Sequence, residues 1–163
     1  MSRLDSAIRR LEAQRACLNR AAGLIAGIEG PVLELGLGNG RTYDHLRLLL
    51  PNRRIVVFER KAMAHPDSMP PAADLIEGDF RDTIASALKV IGQPAALAHA
   101  DIGSGDKAAT AALAAWLGPM LQPLLTPGAV IVSDQYLPVP GAIALPLPET
   151  VAEGRYNIQR MPA

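Results

Sequence analysis

The sequence predicts an α/β fold in which a doubly wound, mainly parallel sheet of seven strands ends in an antiparallel C-terminal hairpin. Short apolar stretches typical of buried strands alternate, along the first 135 residues, with stretches of helical periodicity. Such alternation indicates parallel strands with helices on both faces of the sheet. The last two extended stretches, residues 142–147 and 155–161, have no helix between them. We therefore expect them to pair antiparallel at the sheet edge.

Five strands are predicted ahead of that hairpin, at residues 31–35, 54–59, 74–77, 95–101 and 128–134. The second is the clearest because β-branched residues fill it, and the fourth is weakly marked because alanines dominate it. Helices are expected between the strands, at residues 41–50, 83–91 and 107–125. Pro119 and Pro123 are expected to bend or break the last of these helices.

A long helix is predicted ahead of the first strand, and its apolar residues recur at intervals of three and four. They are Leu4, Ile8, Leu11, Leu18, Ala22 and Ile25. Arg15 falls on the same stripe. It either reaches over the functional site towards a carboxylate, with Gln14 alongside, or follows the commoner pattern of pairing with a neighbouring acid or pointing outward. The stripe suits either a helix that covers the sheet or one that self-associates.

The chain is expected to form a single domain of 163 residues, with the N-terminal helix at 1–28, a core at 30–135 and the hairpin at 141–163. Basic and acidic side chains balance at 16 each without a basic block, so nucleic-acid binding is not favoured. No apolar run is long enough for a membrane span, and the charged N-terminal stretch is unlike a secretion signal. The single cysteine, Cys17, is typical of a reducing compartment, so we expect a cytoplasmic protein.

A glycine-rich loop follows the first predicted strand. It consists of Glu34, Leu35, Gly36, Leu37, Gly38, Asn39 and Gly40. A loop of this kind lets the backbone approach a ligand closely, and the N-terminus of the next helix suits an anionic group. Dinucleotide cofactors use a similar loop, although their fingerprint has Gly or Ala where this chain has Arg41. Glu34 stands two positions before the first glycine, where it could meet a cationic amino group.

The loop resembles the first motif of the class I S-adenosylmethionine-dependent methyltransferases, and three later strand ends match the family in order. Glu59 matches the acidic residue that binds both ribose hydroxyls. Asp79 matches the residue that receives the adenine amino group, and Phe80 the residue that lines the base. Asp101 matches the residue beside the methionine part of the cofactor. The resemblance covers residues 30–135 and implies a methyltransferase with S-adenosylmethionine as its cofactor.

Polar residues that could contact a methyl acceptor follow the fourth and fifth strands, where ligands of open α/β sheets bind. They are His99, Asp101, Ser104, Asp106, Asp134, Gln135 and Tyr136. Asp101 and Tyr136 are the candidates for catalytic contacts. A general base is needed only when the acceptor enters protonated, since positioning and desolvation carry much of the rate of methyl transfer.

The pair Asp134-Gln135, together with Asp101, also resembles the magnesium site of catechol-type O-methyltransferases. Those enzymes have Asn where this chain has Gln135. We favour the alternative in which Asp101 contacts the cofactor and Asp134 caps a turn, so no metal is predicted.

The predicted site is thinly covered, because the N-terminal helix is the only addition to the core. This favours a small-molecule methyl acceptor bound by a homo-oligomer, such as a homodimer, over an exposed macromolecular acceptor. Two other function classes stay open. One is an S-adenosylmethionine-binding module without transferase activity, and the other is a nicotinamide-dependent oxidoreductase.

Overall fold

Seven strands form one sheet in the computed structural model, which describes residues 2–163. The strands are β1 (Val32–Leu35), β2 (Ile55–Glu59), β3 (Leu75–Glu77), β4 (Ala95–Ala100), β5 (Leu125–Ser133), β6 (Ile143–Ala144) and β7 (Asn157–Arg160). Their order across the sheet is β3-β2-β1-β4-β5-β7-β6. The first five strands are parallel, and β7 runs antiparallel to both β5 and β6. The predicted doubly wound sheet with a reversed C-terminal hairpin is confirmed.

Five α-helices connect and cover the strands. They are α1 (Arg3–Leu24), α2 (Arg41–Leu49), α3 (Phe80–Thr83), α4 (Ala87–Ile91) and α5 (Lys107–Leu121). The helix α5 accommodates Pro119 and ends two residues before Pro123, which lies in a 3₁₀ turn over Gln122–Leu124. The strand β5 begins directly after that turn, three residues earlier than expected, because the chain leaves the turn already extended.

Alternate residues of each central strand point into two apolar layers. Leu33 and Leu35 of β1 pack in the layer that contains α5, whereas Val32 packs in the layer that contains α1 and α2. Because side chains alternate along a strand, Glu34 points into the same layer as Val32. A carboxylate is therefore placed among apolar side chains at the centre of the sheet.

The helix α1 packs on the sheet with only its C-terminal half. Its buried residues are Ala13, Gln14, Cys17, Leu18 and Ala21. Leu4 is 68% exposed and Ile8 is 45% exposed, so over the first two turns the apolar stripe does not pack on the sheet. The physical reason is that these turns extend beyond the apolar layer, which the helix enters only at Ala13. Burial raises the pKa of the Cys17 thiol to about 11, as expected of an unreactive core residue.

None of the helices in residues 2–163 combines the length and the apolar character that crossing a bilayer would require.

Two glycines inside helices allow a matched test of the packing. A Cβ added at Gly118 of α5 would lie 2.7 Å from the backbone nitrogen of Pro138, whereas one added at Gly23 of α1 would meet nothing within 4 Å. We expect Gly118→Ala to lower the free energy of unfolding by about 1–3 kcal/mol through overpacking. We expect Gly23→Ala to raise it by about 0.5–1 kcal/mol, because alanine loses less backbone entropy in a helix. Urea denaturation measures both, and changes of the same sign would contradict this packing.

Candidate functional site

The site lies at the carboxyl edge of the parallel strands, where β1 and β4 are neighbours and their connections leave the sheet in opposite directions. The glycine-rich loop crosses this edge between β1 and α2. Gly36 has a φ of +96°, and a Cβ there would lie 2.7 Å from the carbonyl oxygen of Asp101. Gly40 has a φ of +79° and caps the N-terminus of α2 without a side-chain hydrogen bond. Both positions require glycine, and Gly36 lets the loop lie against the end of β4.

Glu59, at the end of β2, holds the glycine-rich loop in place. Its Oε2 accepts hydrogen bonds from the backbone N–H groups of Leu37 at 2.7 Å and Gly38 at 3.1 Å. Its Oε1 accepts from the N–H groups of Arg60 at 2.7 Å and Lys61 at 3.4 Å. The carboxylate thus joins the end of β2 to the loop after β1, which fixes one wall of the site.

Asp79 and Phe80 form the opposite wall, at the start of α3. The carboxylate of Asp79 caps this helix by accepting from the N–H of Arg81 at 2.9 Å, and it also lies 3.5 Å from the guanidinium of Arg60. Phe80 is half-buried at the first helical position. Between the two walls is a cavity of about 540 Å³ that Gly36, Gly38, Glu59, Asp79, Phe80 and Asp101 help to line.

Asp101 marks the point where this cavity meets a smaller one of about 110 Å³, which Asn39 also lines. We call the two cavities together the edge cleft. Two side chains of α1 reach the carboxylate of Asp101: Gln14 Nε2 donates to Oδ2 at 2.7 Å, and Arg10 Nη1 donates to the same oxygen at 3.3 Å. The N-terminal helix therefore closes over the cleft through these two contacts, while Arg15 is exposed and lines a different cavity.

A chain of polar groups runs beneath the cleft, and its members Glu34, His99 and Tyr156 are fully buried, whereas Thr42 is partly buried. Glu34 accepts a hydrogen bond from the hydroxyl of Thr42 and lies 2.6 Å from Nδ1 of His99, whose Nε2 lies 2.6 Å from the hydroxyl of Tyr156. Burial opposes a charge on His99, but the charge of Glu34 and its hydrogen bond outweigh that effect and raise the pKa of His99. Burial raises the pKa of Tyr156 well above its usual value, so this phenol stays protonated.

Glu34 consequently does not line the edge cleft, although the sequence suggested that it would meet a cationic amino group there. Its side chain is wholly buried, and both carboxylate oxygens are bound inside the protein. The alternation of side chains along β1 explains the difference, since it turns residue 34 into the layer under α1.

Asp134 binds the main chain of the loop that follows β4. Its two oxygens accept from the N–H groups of Ile102 at 3.0 Å and Gly103 at 2.8 Å, and Gln135 Nε2 donates to it at 3.1 Å. Asp134 thus ties the end of β5 to the loop after β4. Within residues 2–163, no three His, Cys, Asp or Glu side chains cluster closely enough to suggest a metal site.

Tyr136 lies away from the edge cleft. Its side chain is 62% exposed and lines a shallow depression beside Leu145 and Tyr156, at the C-terminal hairpin. Its predicted catalytic contact therefore stays a prediction.

Comparison with known proteins identifies the family. A family model described as S-adenosyl-L-methionine methyltransferase matches residues 1–161. The chain belongs to this methyltransferase family. The crystal structure of an S-adenosyl-L-methionine methyltransferase from Silicibacter pomeroyi DSS-3 is 46% identical, covers 98% of each chain and superposes with a TM-score of 0.92. The cofactor of the methyltransferase is accordingly S-adenosylmethionine.

More distant structures share the fold of the methyltransferase. A candidate caffeoyl-CoA O-methyltransferase from Staphylococcus aureus is 12% identical over 88% of this chain and 82% of its own, with a TM-score of 0.57. The plantazolicin methyltransferase BpumL, in complex with SAH, is 13% identical over 79% of this chain and 49% of its own, with a TM-score of 0.55. A search of curated protein sequences found no significant match.

The methyltransferase brings most of its predicted cofactor residues to the edge cleft. They are Gly36, Gly38, Asn39, Glu59, Asp79, Phe80 and Asp101. Gly40 supports the cleft from the start of α2, and Glu34 lies beneath it. The sequence reasoning missed Arg10 as a partner of Asp101. Arg10 and Gln14 lie one helical turn apart, so they share a face of α1, and this spacing could have indicated a common partner. That partner, Asp101, lies 87 positions from Gln14 and 91 from Arg10, so nothing near them in the sequence identifies it.

The buried pair in the methyltransferase can be tested through the titration of His99. We expect Glu34→Gln to bring the pKa of His99 below its ordinary value of 6.5, because burial remains while the opposing charge is removed. An NMR titration of the His99 ring measures the shift. Glu29→Gln, a change in the exposed loop before β1, serves as the control and should leave the titration unaltered. An unchanged pKa in Glu34→Gln would show that the charge of Glu34 does not raise the pKa of His99.

Proposed function

We propose that the methyltransferase transfers the methyl group of S-adenosylmethionine to a small-molecule acceptor. The observation that supports this is the closure of the edge cleft by the chain's own helix, through the contacts of Gln14 and Arg10 with Asp101. An acceptor must fit beneath α1, which suits a small molecule. The balanced charge of the chain also gives no electrostatic reason to expect a nucleic acid.

We place the adenosine part of the cofactor in the larger cavity, with Asp79 at the adenine amino group, Phe80 against the base and Glu59 at the ribose. The oxygens of Glu59 already accept from backbone N–H groups, and the contacts with Gly38 and Lys61 are the longest of these, at 3.1 and 3.4 Å. Two ribose hydroxyls would take the place of those long contacts, while Leu37 and Arg60 keep theirs. Glu59 would then bind the ribose and hold the loop at once.

The methionine part belongs in the smaller cavity, beside Gly36, Gly38 and Asn39. Its ammonium would bind Asp101, which forms an ion pair with Arg10 in this structure. The side chain of Arg10 is 48% exposed and that of Asp101 is 29% exposed. An exposed pair of this kind is weak, so it yields readily to a better-placed cation. Arg10, once released, would lie beside the carboxylate of the same cofactor.

When bound, the cofactor would supply a methyl group on a positively charged sulfur, for transfer to the lone pair of an acceptor atom, and the sulfur would keep the electrons of the broken carbon–sulfur bond. The protein residues around Asp101 align the acceptor and exclude water, and these effects carry much of the rate. Asp101 is the residue in the cleft that can contact the reacting groups. Tyr136 would contribute only if the acceptor extends to the hairpin.

We also propose that the protein acts in the cytoplasm as a homo-oligomer. The free thiol of Cys17 suits a reducing compartment. The exposed Leu4 of α1 offers apolar surface for self-association. Light scattering after size exclusion would report the mass, and a monomer at micromolar concentration would contradict the oligomer.

Calorimetry with three ligands tests the cofactor and the alternatives. We expect S-adenosylmethionine and S-adenosylhomocysteine to bind, because the acids at the strand ends match the adenosine and amino groups that both ligands carry. We expect NAD not to bind. Turnover of labelled S-adenosylmethionine with a panel of small acceptors then tests transfer. Binding of NAD alone would indicate an oxidoreductase. Binding of S-adenosylhomocysteine without transfer to any acceptor would indicate a module without transferase activity.

The ribose contact has a matched control on the neighbouring strand. Glu59 of β2 pairs in register with Glu77 of β3, and Glu77 likewise accepts from a backbone N–H, that of Ala62. We expect Glu59→Ala to weaken the binding of S-adenosylhomocysteine by about 1–3 kcal/mol, because the ribose hydroxyls lose their partner. Glu77→Ala should leave that affinity unchanged in the same calorimetric titration. Equal losses in both variants would mean that the ribose lies elsewhere.

A further inference from the structure

A third cavity, of about 370 Å³, opens between α1 and α2. It shares Leu11, Gln14, Arg41 and Thr42 with the smaller cavity of the edge cleft. It shares no lining residue with the larger cavity. The shared wall makes it an extension of the cleft on the side opposite the adenosine pocket. Its volume is in the range of cavities that bind small molecules. We call it the α1–α2 cavity.

The α1–α2 cavity has an apolar surface that the rest of the described chain does not cover. Leu18 forms part of its lining and belongs to the core under α1. Ile8 and Leu11 line it as well, yet both lie outside the two apolar clusters found in residues 2–163. Ile8 is 45% exposed, an unusual state for isoleucine beside a cavity. An occupant with an apolar body would remove this surface from water.

The charge of the cavity favours an anion. Arg15 and Arg41 line it, and neither forms an ion pair with a carboxylate of residues 2–163. Glu12 is the one acid in its lining. His45 adds no negative charge, and burial together with the nearby Arg15 lowers its pKa, so it is neutral at pH 7. The lining therefore carries a net charge of one positive unit before any ligand binds.

We propose that the α1–α2 cavity is the acceptor site and that the acceptor is a small carboxylic acid with an apolar body. Its carboxylate would meet Arg15 and Arg41, and its apolar body would lie on Ile8 and Leu11. The end that receives the methyl group would then pass Gln14 towards the cofactor beside Asp101. This inference rests on the proposed function, because it assigns the acceptor of the same reaction.

Matched pairs of acids and amides test this assignment on the protein saturated with S-adenosylhomocysteine. The probes are phenylacetate against phenylacetamide and hexanoate against hexanamide, which differ in charge and little in shape. We expect each acid to bind about fivefold more tightly than its amide, the size of a partly exposed arginine–carboxylate pair. NMR chemical-shift titration measures both affinities. The acids should not displace S-adenosylhomocysteine.

Variants at two arginines of α1 test whether the preference for the acids arises in the α1–α2 cavity. Arg15→Gln should reduce the preference for the acid to near unity, and Arg15→Lys should retain part of it. Arg9→Gln removes another exposed arginine of α1 that lines none of the three cavities, so it should retain the full preference. All three variants should bind S-adenosylhomocysteine as the unmodified protein does.

Three results would overturn the inference alone while S-adenosylhomocysteine binds normally: no preference for the acids, an equal loss in Arg9→Gln, or displacement of S-adenosylhomocysteine by the acids. The last of these would place the acid on the methionine part of the cofactor site. Failure of the unmodified protein to bind S-adenosylhomocysteine would instead overturn the proposed function, and this inference with it.

Discussion

A carboxylate and an imidazole lie side by side in the apolar layer between the sheet and α1, and four elements meet at them. Glu34 and His99 are register partners on β1 and β4, Thr42 reaches Glu34 from α2, and Tyr156 reaches His99 from the position directly before β7. Removing one partner from a buried pair typically costs about 3–5 kcal/mol, because the other charge is left unbalanced. The pair therefore makes the first strand, the helix behind the glycine-rich loop and the C-terminal hairpin mutually dependent.

The cleft depends on this arrangement. The loop can lie against the end of β4 only because β1 and α2 are held on either side of it, and Glu59 then binds the loop from β2. The polar chain beneath is satisfied throughout: in residues 2–163, the one buried side-chain atom without a hydrogen-bond partner is Oε1 of Gln159, which lies outside it. Fully satisfied polar networks are rigid and specific, which suits a site that has to orient two ligands.

The fold and the strand-end acids of the edge cleft follow from local patterns in the sequence. Apolar runs mark the strands, and a carboxylate at the end of such a run is placed at the sheet edge by topology alone, as with Glu59, Asp79 and Asp101. The contacts of α1 do not follow in this way. The stripe through Leu4 and Ile8 has the right period, but burial depends on where the apolar layer ends, which is a tertiary property.

The same limit applies to Glu34 and Tyr156. A glutamate before a glycine-rich loop suggests a ligand contact, and nothing near it in the sequence announces a histidine 65 positions later and a tyrosine beyond that. Long-range pairs of this kind depend on strand order and register, which a single sequence specifies only through the whole fold.

The two outermost strands of the sheet are also its shortest. The strand β3 has three residues at one edge, and β6 has two exposed residues at the other. A short edge presents few unpaired backbone groups, so another chain finds little to extend by strand addition. The sheet is in this sense closed to neighbours at both ends, which leaves the helices and loops as the surfaces for contacts between copies.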